Sequence, residues 1–139
     1  MKYLLDTCVV SELINKTPDK AVVEWVDGQD SDYLHLSVVT IGEVQRGICK
    51  LGTSARASKL QDWLNEDLIV KFDRRIIPID VNVMEGWGRL MAGLNSMGLS
   101  LPIMDSLVAA TAIVHGFTLV TRNVKDFENS GIKLHNPWL

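Results

Sequence analysis

Asp6, Glu43, Asp105, Asn123 and Asp126 are far apart in the chain, yet each falls just after a strand-like run or inside the helix that follows one. Taken singly, each has an ordinary explanation. Asp6 and Asp126 suit helix N-caps, Glu43 suits a surface pair with Arg46, Asp105 suits the positive end of a helix dipole, and Asn123 suits a turn. Gathered in one place they would be something else. Clustered carboxylates raise one another's pKa and are costly unless a cation sits among them. An all-oxygen donor set matches Mg²⁺ or Mn²⁺ with water completing the shell, whereas Zn²⁺ would draw on His and Cys. Such ions hold and polarise phosphate and lower the pKa of an attacking water, so the chemistry suggested is hydrolysis of a phosphoester or phosphodiester.

The periodicity indicates which elements would have to gather these residues. Tyr3 to Leu5 reads as a buried strand, followed at once by a helical pattern through Val9, Val10, Leu13 and Ile14. Pro18-Asp19 opens a second helix that ends at Gly28, and the polar run to Asp32 reads as a solvated turn. A strand over Tyr33 to Leu36 leads into a helix with Ile41, Val44, Ile48 and Leu51 on one face. A long helix over Ser54 to Phe72, a strand over Ile76 to Ile79, helices over Val83 to Met97 and Pro102 to His115, a strand over Phe117 to Val120 and a short strand near Lys133 to His135 complete the reading. Strands alternating with helices of ten or more residues imply an α/β fold. The expectation is a central, mainly parallel sheet of four to five short strands with helices on both faces. Open parallel sheets bind ligands beyond the carboxyl ends of their strands, which is where the acidic residues fall.

Composition narrows the classes further. With 139 residues and no repeat, low-complexity tract or linker, one domain over residues 1–139 is expected. Hydrophobic residues at 47% and charged residues at 22% exclude disordered and fibrous classes. No apolar run is long enough to span a bilayer, and Asp6 interrupts the start too early for a signal peptide, so the expected location is cytoplasmic. Cys8 and Cys49 form neither a C-x-x-C pair nor a disulfide framework and are expected as small buried hydrophobes. His35, His115 and His135 lack ligand spacing, and the four Trp residues are expected in the core or at interfaces. Gly42 and Gly47 flank Glu43 on the less apolar side of its helix, where they suggest a close approach.

Four segments occur in register: the strand ending in Asp6-Thr7, Thr40-x-x-Glu43, the helix Asp105-Ser106-x-x-x-Ala109-Ala110, and the strand followed by Thr121-Arg122-Asn123-x-x-Asp126-Phe127. Together they resemble the PIN-domain ribonucleases over nearly the whole chain. The resemblance is greatest to VapC-type toxins of toxin–antitoxin pairs, and among those to the FitB branch, whose chains similarly close on Asn-Pro-Trp, here Asn136-Pro137-Trp138. It implies a metal-dependent endoribonuclease in which Asp6, Glu43 and Asp105 bind Mg²⁺ or Mn²⁺ and an ion-activated water attacks RNA. In that reading Thr7 and Thr121 assist by hydrogen bonding. Asn123 stands where many relatives have Asp, leaving Asp126 as a substitute ligand and a second ion as one that arrives with the phosphate. The resemblance further implies a homodimer, a cognate antitoxin that blocks the site, and operator DNA bound through that antitoxin. The groove for the antitoxin is expected around Val9, Leu13, Val22, Trp25 and Val26 with the Ile48 to Leu64 region.

A net charge of −3 does not by itself suggest nucleic acid, so RNA, possibly tRNA, would have to be held by the ions and by local cations. Arg46 and Lys50 lie three and seven residues beyond Glu43, and Arg122 and Lys125 border the corner after the fourth strand. Either these four contact the RNA backbone or they are ordinary solvated charges. Two rival functions compete. One is a Mg²⁺-dependent phosphatase, whose second acid would fall where Cys8 stands; the other is a catalytically silent module gripping a basic partner.

Overall fold

Short apolar runs flanked by helix caps set the framework of the chain, which is described over Met1–Leu139 by a computed structural model. Five strands form one sheet in the order β3-β2-β1-β4-β5, with every neighbouring pair parallel. They are β1 (Tyr3–Leu5), β2 (Leu34–Ser37), β3 (Ile76–Ile77), β4 (Thr118–Val120) and β5 (Leu134–His135). Parallel strands need crossovers, and these carry the helices α1 (Thr7–Leu13), α2 (Lys20–Asp27), α3 (Val38–Lys50), α4 (Ala55–Asp62), α5 (Ile69–Lys71), α6 (Val81–Ser96), α7 (Ile103–His115) and α8 (Val124–Phe127).

Alternation along the strands divides the core in two. Leu5, Leu34, Leu36 and Val120 face a cluster with Val9, Val10, Val22 and Leu64, whereas Leu4 and Leu119 face the opposite cluster with Val108, Ala109, Phe117 and Phe127. The expected α/β architecture with helices on both faces is therefore present, and its boundaries shift by a residue or two. α3 starts at Val38 because the Ser37 side chain caps it, accepting from the Val39 N–H at 3.0 Å. β3 is only Ile76–Ile77, since Pro78 cannot donate to a ladder.

The single helix expected over Ser54 to Phe72 is present as one continuous helical run from Ala55 to Lys71, with a change of winding inside it. A π-helical stretch over Trp63–Leu68 joins α4 to α5 and turns both Leu64 and Leu68 inward. α6 and α7 approach closely at Gly86, where a Cβ would lie 2.5 Å from Val114 Cγ2. Both Cys residues depart from the expectation of burial. Cys49 is exposed and Cys8 only partly buried, because Cys8 lies at the carboxyl edge of the sheet rather than beneath it.

Candidate active site

The sheet order makes the site. From β1 the chain crosses to β2 on one side, while β4 lies on the other side of β1, so β1 and β4 flank the point where the crossovers diverge. That point is the usual ligand crevice of an open parallel sheet. Asp6 leaves β1 there, its backbone N–H bonded to Val120 O at 2.9 Å, and Thr121 leaves β4 beside it.

Asp6 is 6% exposed and has partners on both oxygens. Oδ1 accepts from the Thr7 N–H at 2.9 Å, which also caps α1, and Oδ2 accepts from Thr121 Oγ1 at 2.8 Å. Burial is the largest influence on its carboxyl; with repulsion from Glu43 it outweighs these hydrogen bonds and holds the pKa above the ordinary value. Thr7 Oγ1 donates to Glu43 Oε1 at 2.6 Å and lies 3.1 Å from Thr40 Oγ1, tying α3 to the start of α1. Asp105, in the first turn of α7, is also raised, first by burial and then by Asp6, Glu43 and Asp126. Asp105 thus lies in the field of three other carboxylates, and Asp6 in that of Glu43. The chain's one ion pair, Lys20–Glu24, lies elsewhere, and the Glu43–Arg46 pair that would have explained Glu43 is not formed.

The outer residues are more loosely placed. Asn123 is exposed and its side chain caps nothing, although its N–H donates to Thr121 Oγ1 at 3.1 Å. Asp126 is exposed on α8 and reaches the cluster only through its field at Asp105. Arg46, Lys50, Arg122 and Lys125 are all exposed. No three acidic, His or Cys side chains converge tightly enough to ligate one ion as they stand, so the expected ligand set of Asp6, Glu43, Asp105 and Asp126 is a neighbourhood rather than a finished cage.

The donor chemistry nonetheless fits a hard divalent cation. Every strong donor at the rim is a carboxylate or hydroxyl oxygen. The nearby Cys8 thiol, 3.8 Å from Asp6 Oδ2, is pushed up by burial and by Asp6's charge and so stays protonated rather than offering a thiolate.

Two residues have a part in the site that the sequence analysis did not give them. Thr40, marked there only as part of the Thr40-x-x-Glu43 segment, is fully buried, sits one helical turn before Glu43 and abuts Thr7. Cys8 contacts both Asp6 and Thr121, and no sequence signal marks it, because the contact with Thr121 exists only when β4 pairs with β1. Conversely, Ser106 in the Asp105-Ser106 segment is structural: its hydroxyl donates to Ile103 O and accepts from Trp87 Nε1. The glycines flanking Glu43 are not close approaches within the chain, since a Cβ at Gly42 or Gly47 would meet nothing within 4 Å.

The expected partner groove also shifts. Val9 and Val22 are fully buried in the core, and Trp25 packs edge-on against Tyr3 and at a tilt against His135. The open apolar cleft, of about 150 Å³, keeps Leu13 and Val26 of the expected set and Trp63 of the Ile48 to Leu64 region, and adds Val10, Ile14 and Phe72. A second cleft of about 140 Å³ shares Trp63 and Ile14 with the first and reaches Thr7 and Glu43. Two larger depressions, about 620 Å³ between α6 and α7 and about 630 Å³ beside Ile79, Val81 and Met84, contain none of the acidic cluster.

Comparison with known proteins agrees with this geometry. Residues 3–131 match the PIN domain family model, and the chain belongs to that family. It is 34% identical to VapC ribonuclease Y4jK of Sinorhizobium fredii over 97% of this chain and 96% of that protein. It is 30% identical to the toxin FitB of Neisseria gonorrhoeae over 97% of both chains. The structure of FitAB bound to an IR36 DNA fragment superposes with a TM-score of 0.93 at 28% identity, covering 99% of this chain and 96% of that one.

Proposed function

We propose that this protein is the toxin of a type II toxin–antitoxin pair, acting as a divalent-metal-dependent endoribonuclease at Asp6, Glu43 and Asp105, with Asp126 as the outer carboxylate. The observation that carries the reading is the charge imbalance. Asp6 and Asp105 are both pushed upward in a field to which Glu43 and Asp126 contribute, and no Lys, Arg or His pairs with any of the four. A Mg²⁺ or Mn²⁺ ion would balance that charge and supply the Lewis acidity for phosphodiester hydrolysis.

The chain's own residues do the positioning. Thr121 and the Thr7 N–H fix the two Asp6 oxygens, and the Thr7 hydroxyl fixes Glu43, so that two carboxylates from different helices keep one orientation. Asp105 enters from α7 on the other side of the crevice. Asn123 contributes a neutral carbonyl oxygen at the rim, which leaves the outer side of the site less charged than a fourth inner Asp would.

The names of the relatives, a VapC ribonuclease and a toxin, and the DNA-bound FitAB complex support the rest of the assignment. RNA is the substrate, a cognate antitoxin is the inhibitor, and operator DNA is reached through the antitoxin. The two joined clefts around Trp63 form the antitoxin's apolar track, since they lead from α1 and α2 to Glu43.

The test is cleavage of a panel of structured RNAs, tRNAs included, with Mg²⁺ or Mn²⁺, beside EDTA and Asp105→Asn. Cutting that both controls abolish is the expected result. Cutting that survives EDTA, or a wild type that binds a basic peptide in chelator and cuts no RNA with metal, overturns the proposal.

A further inference from the structure

The last residues of the chain fold back onto the site. Asn136 Oδ1 accepts from the Trp138 backbone N–H at 2.9 Å, and the turn lays the indole over α1, where Nε1 donates to Glu12 Oε1 at 3.1 Å. Trp138 packs against the core cluster beneath β1. The guanidinium carbon of Arg122 lies 5.3 Å from the centroid of this ring. Arg122 directly follows Thr121, which holds Asp6, and its own backbone N–H donates to Cys8 Sγ at 3.5 Å. Main chain and side chain of Arg122 are therefore both fixed beside the acidic crevice.

That cation–π contact matters for anion binding. A guanidinium held over an aromatic ring leaves its N–H groups unspent on hydrogen bonds, and those are the groups that bind phosphate in a two-pronged geometry. Arg122 is exposed and pairs with no carboxylate. The other rim cations, Arg46, Lys50 and Lys125, have neither an aromatic platform nor an ion pair, so they must be ordered at the moment of binding.

We propose that Trp138 is a positioning residue for RNA: it holds the Arg122 guanidinium in place to receive a backbone phosphate next to the acidic crevice. The proposal rests on the nuclease reading above, and it assigns a binding role to a tryptophan that otherwise looks like terminal packing.

The test is a double-mutant cycle of Arg122→Ala and Trp138→Leu in the full chain, read as KM and kcat for RNA cleavage in Mn²⁺ at two salt concentrations. Arg122→Ala should raise KM about 10-fold, as for loss of a charged hydrogen bond, with kcat little changed. It should also flatten the logarithmic salt dependence by about 0.7, the value for one contact to single-stranded nucleic acid. Trp138→Leu should raise KM about 3-fold through the lost cation–π contact, while Trp138→Phe, which keeps an aromatic face, stays near wild type.

In the Arg122→Ala background Trp138→Leu should add nothing. An undiminished Trp138→Leu effect in that background, an effect on kcat alone, or a Trp138→Phe as impaired as Trp138→Leu would each overturn the proposal. The same cycle read by fluorescence anisotropy on a labelled single-stranded RNA does not require cutting. A wild type that binds but never cuts defeats the nuclease reading alone, and one that neither binds nor cuts defeats both.

Discussion

Thr121→Val removes one hydroxyl and keeps the side chain's shape, and its cost should depend on pH in a way that only a bonded, buried Asp6 produces. The hydroxyl is fully buried and donates at 2.8 Å to Asp6, itself 6% exposed, so no water is placed to replace it. A hydrogen bond to a charged group is worth about 1.5–3 kcal/mol and one to a neutral group about 0.5–1.5 kcal/mol. The substitution should therefore cost about 2 kcal/mol when Asp6 is ionised and about 1 kcal/mol when it is protonated.

The sign follows from linkage. Asp6 already has a folded-state pKa above 3.8, the unfolded value, so its ionisation lowers stability as pH rises through that window. Losing the Thr121 bond raises the folded pKa further and deepens that loss, so the variant should be hurt more at pH 8 than at pH 4.5. Urea unfolding of both proteins in EDTA at the two pH values measures the difference. The Asn123 N–H, which also bonds Thr121 Oγ1, is on an exposed residue and turns to water at either pH. Equal destabilisation at both pH values, or none at pH 8, would refute the reasoning. Cleavage by the variant should fall by about 10–100-fold, as for loss of a group that orients a metal-binding carboxylate.

Asp105→Asn should leave stability in chelator within about 1 kcal/mol of wild type or raise it, because it relieves repulsion from Asp6, Glu43 and Asp126. Melting with and without Mn²⁺ should show that the same variant loses the metal-induced gain. For the wild type, the increase in Tm on adding Mn²⁺ should grow as pH rises from about 3.8, since the ion displaces protons that burial and repulsion hold on Asp6 and Asp105. An increment that shrinks over that range would contradict the assignment. Gly86→Ala should destabilise by about 1–2 kcal/mol despite its better helix propensity, because the new Cβ meets Val114 Cγ2 at 2.5 Å. Adding Val114→Ala should recover part of that loss in denaturant unfolding.

Much of the framework was legible in short stretches of sequence. β1 and α1 appear where the apolar run Tyr3 to Leu5 and the helical spacing of Val9, Val10 and Leu13 place them, since both depend on neighbours a few positions away. Asp19 caps α2 through its own carboxylate, again a local matter. The π-helical stretch at Trp63–Leu68 was not legible, because it answers to the burial of Leu64 and Leu68 against distant strands. Nor was the burial of Val9 and Val22, which removed them from the apolar cleft and left Val10 and Phe72 there.

The candidate site divides the same way. Local sequence specifies which donors exist: carboxylates after strands and in first helical turns, no His among them, and a strand-to-helix order that forces parallel pairing. Which of them meet is set by how the elements pack. Thr121 reaches Asp6 because β4, and not β2, lies on that side of β1; Thr7 reaches Glu43 because α3 packs beside α1; Trp138 reaches Arg122 because the chain turns back after β5. Periodicity encodes which face of an element is buried, while contacts between separate elements depend on strand order and on the packing that closes the loops between them.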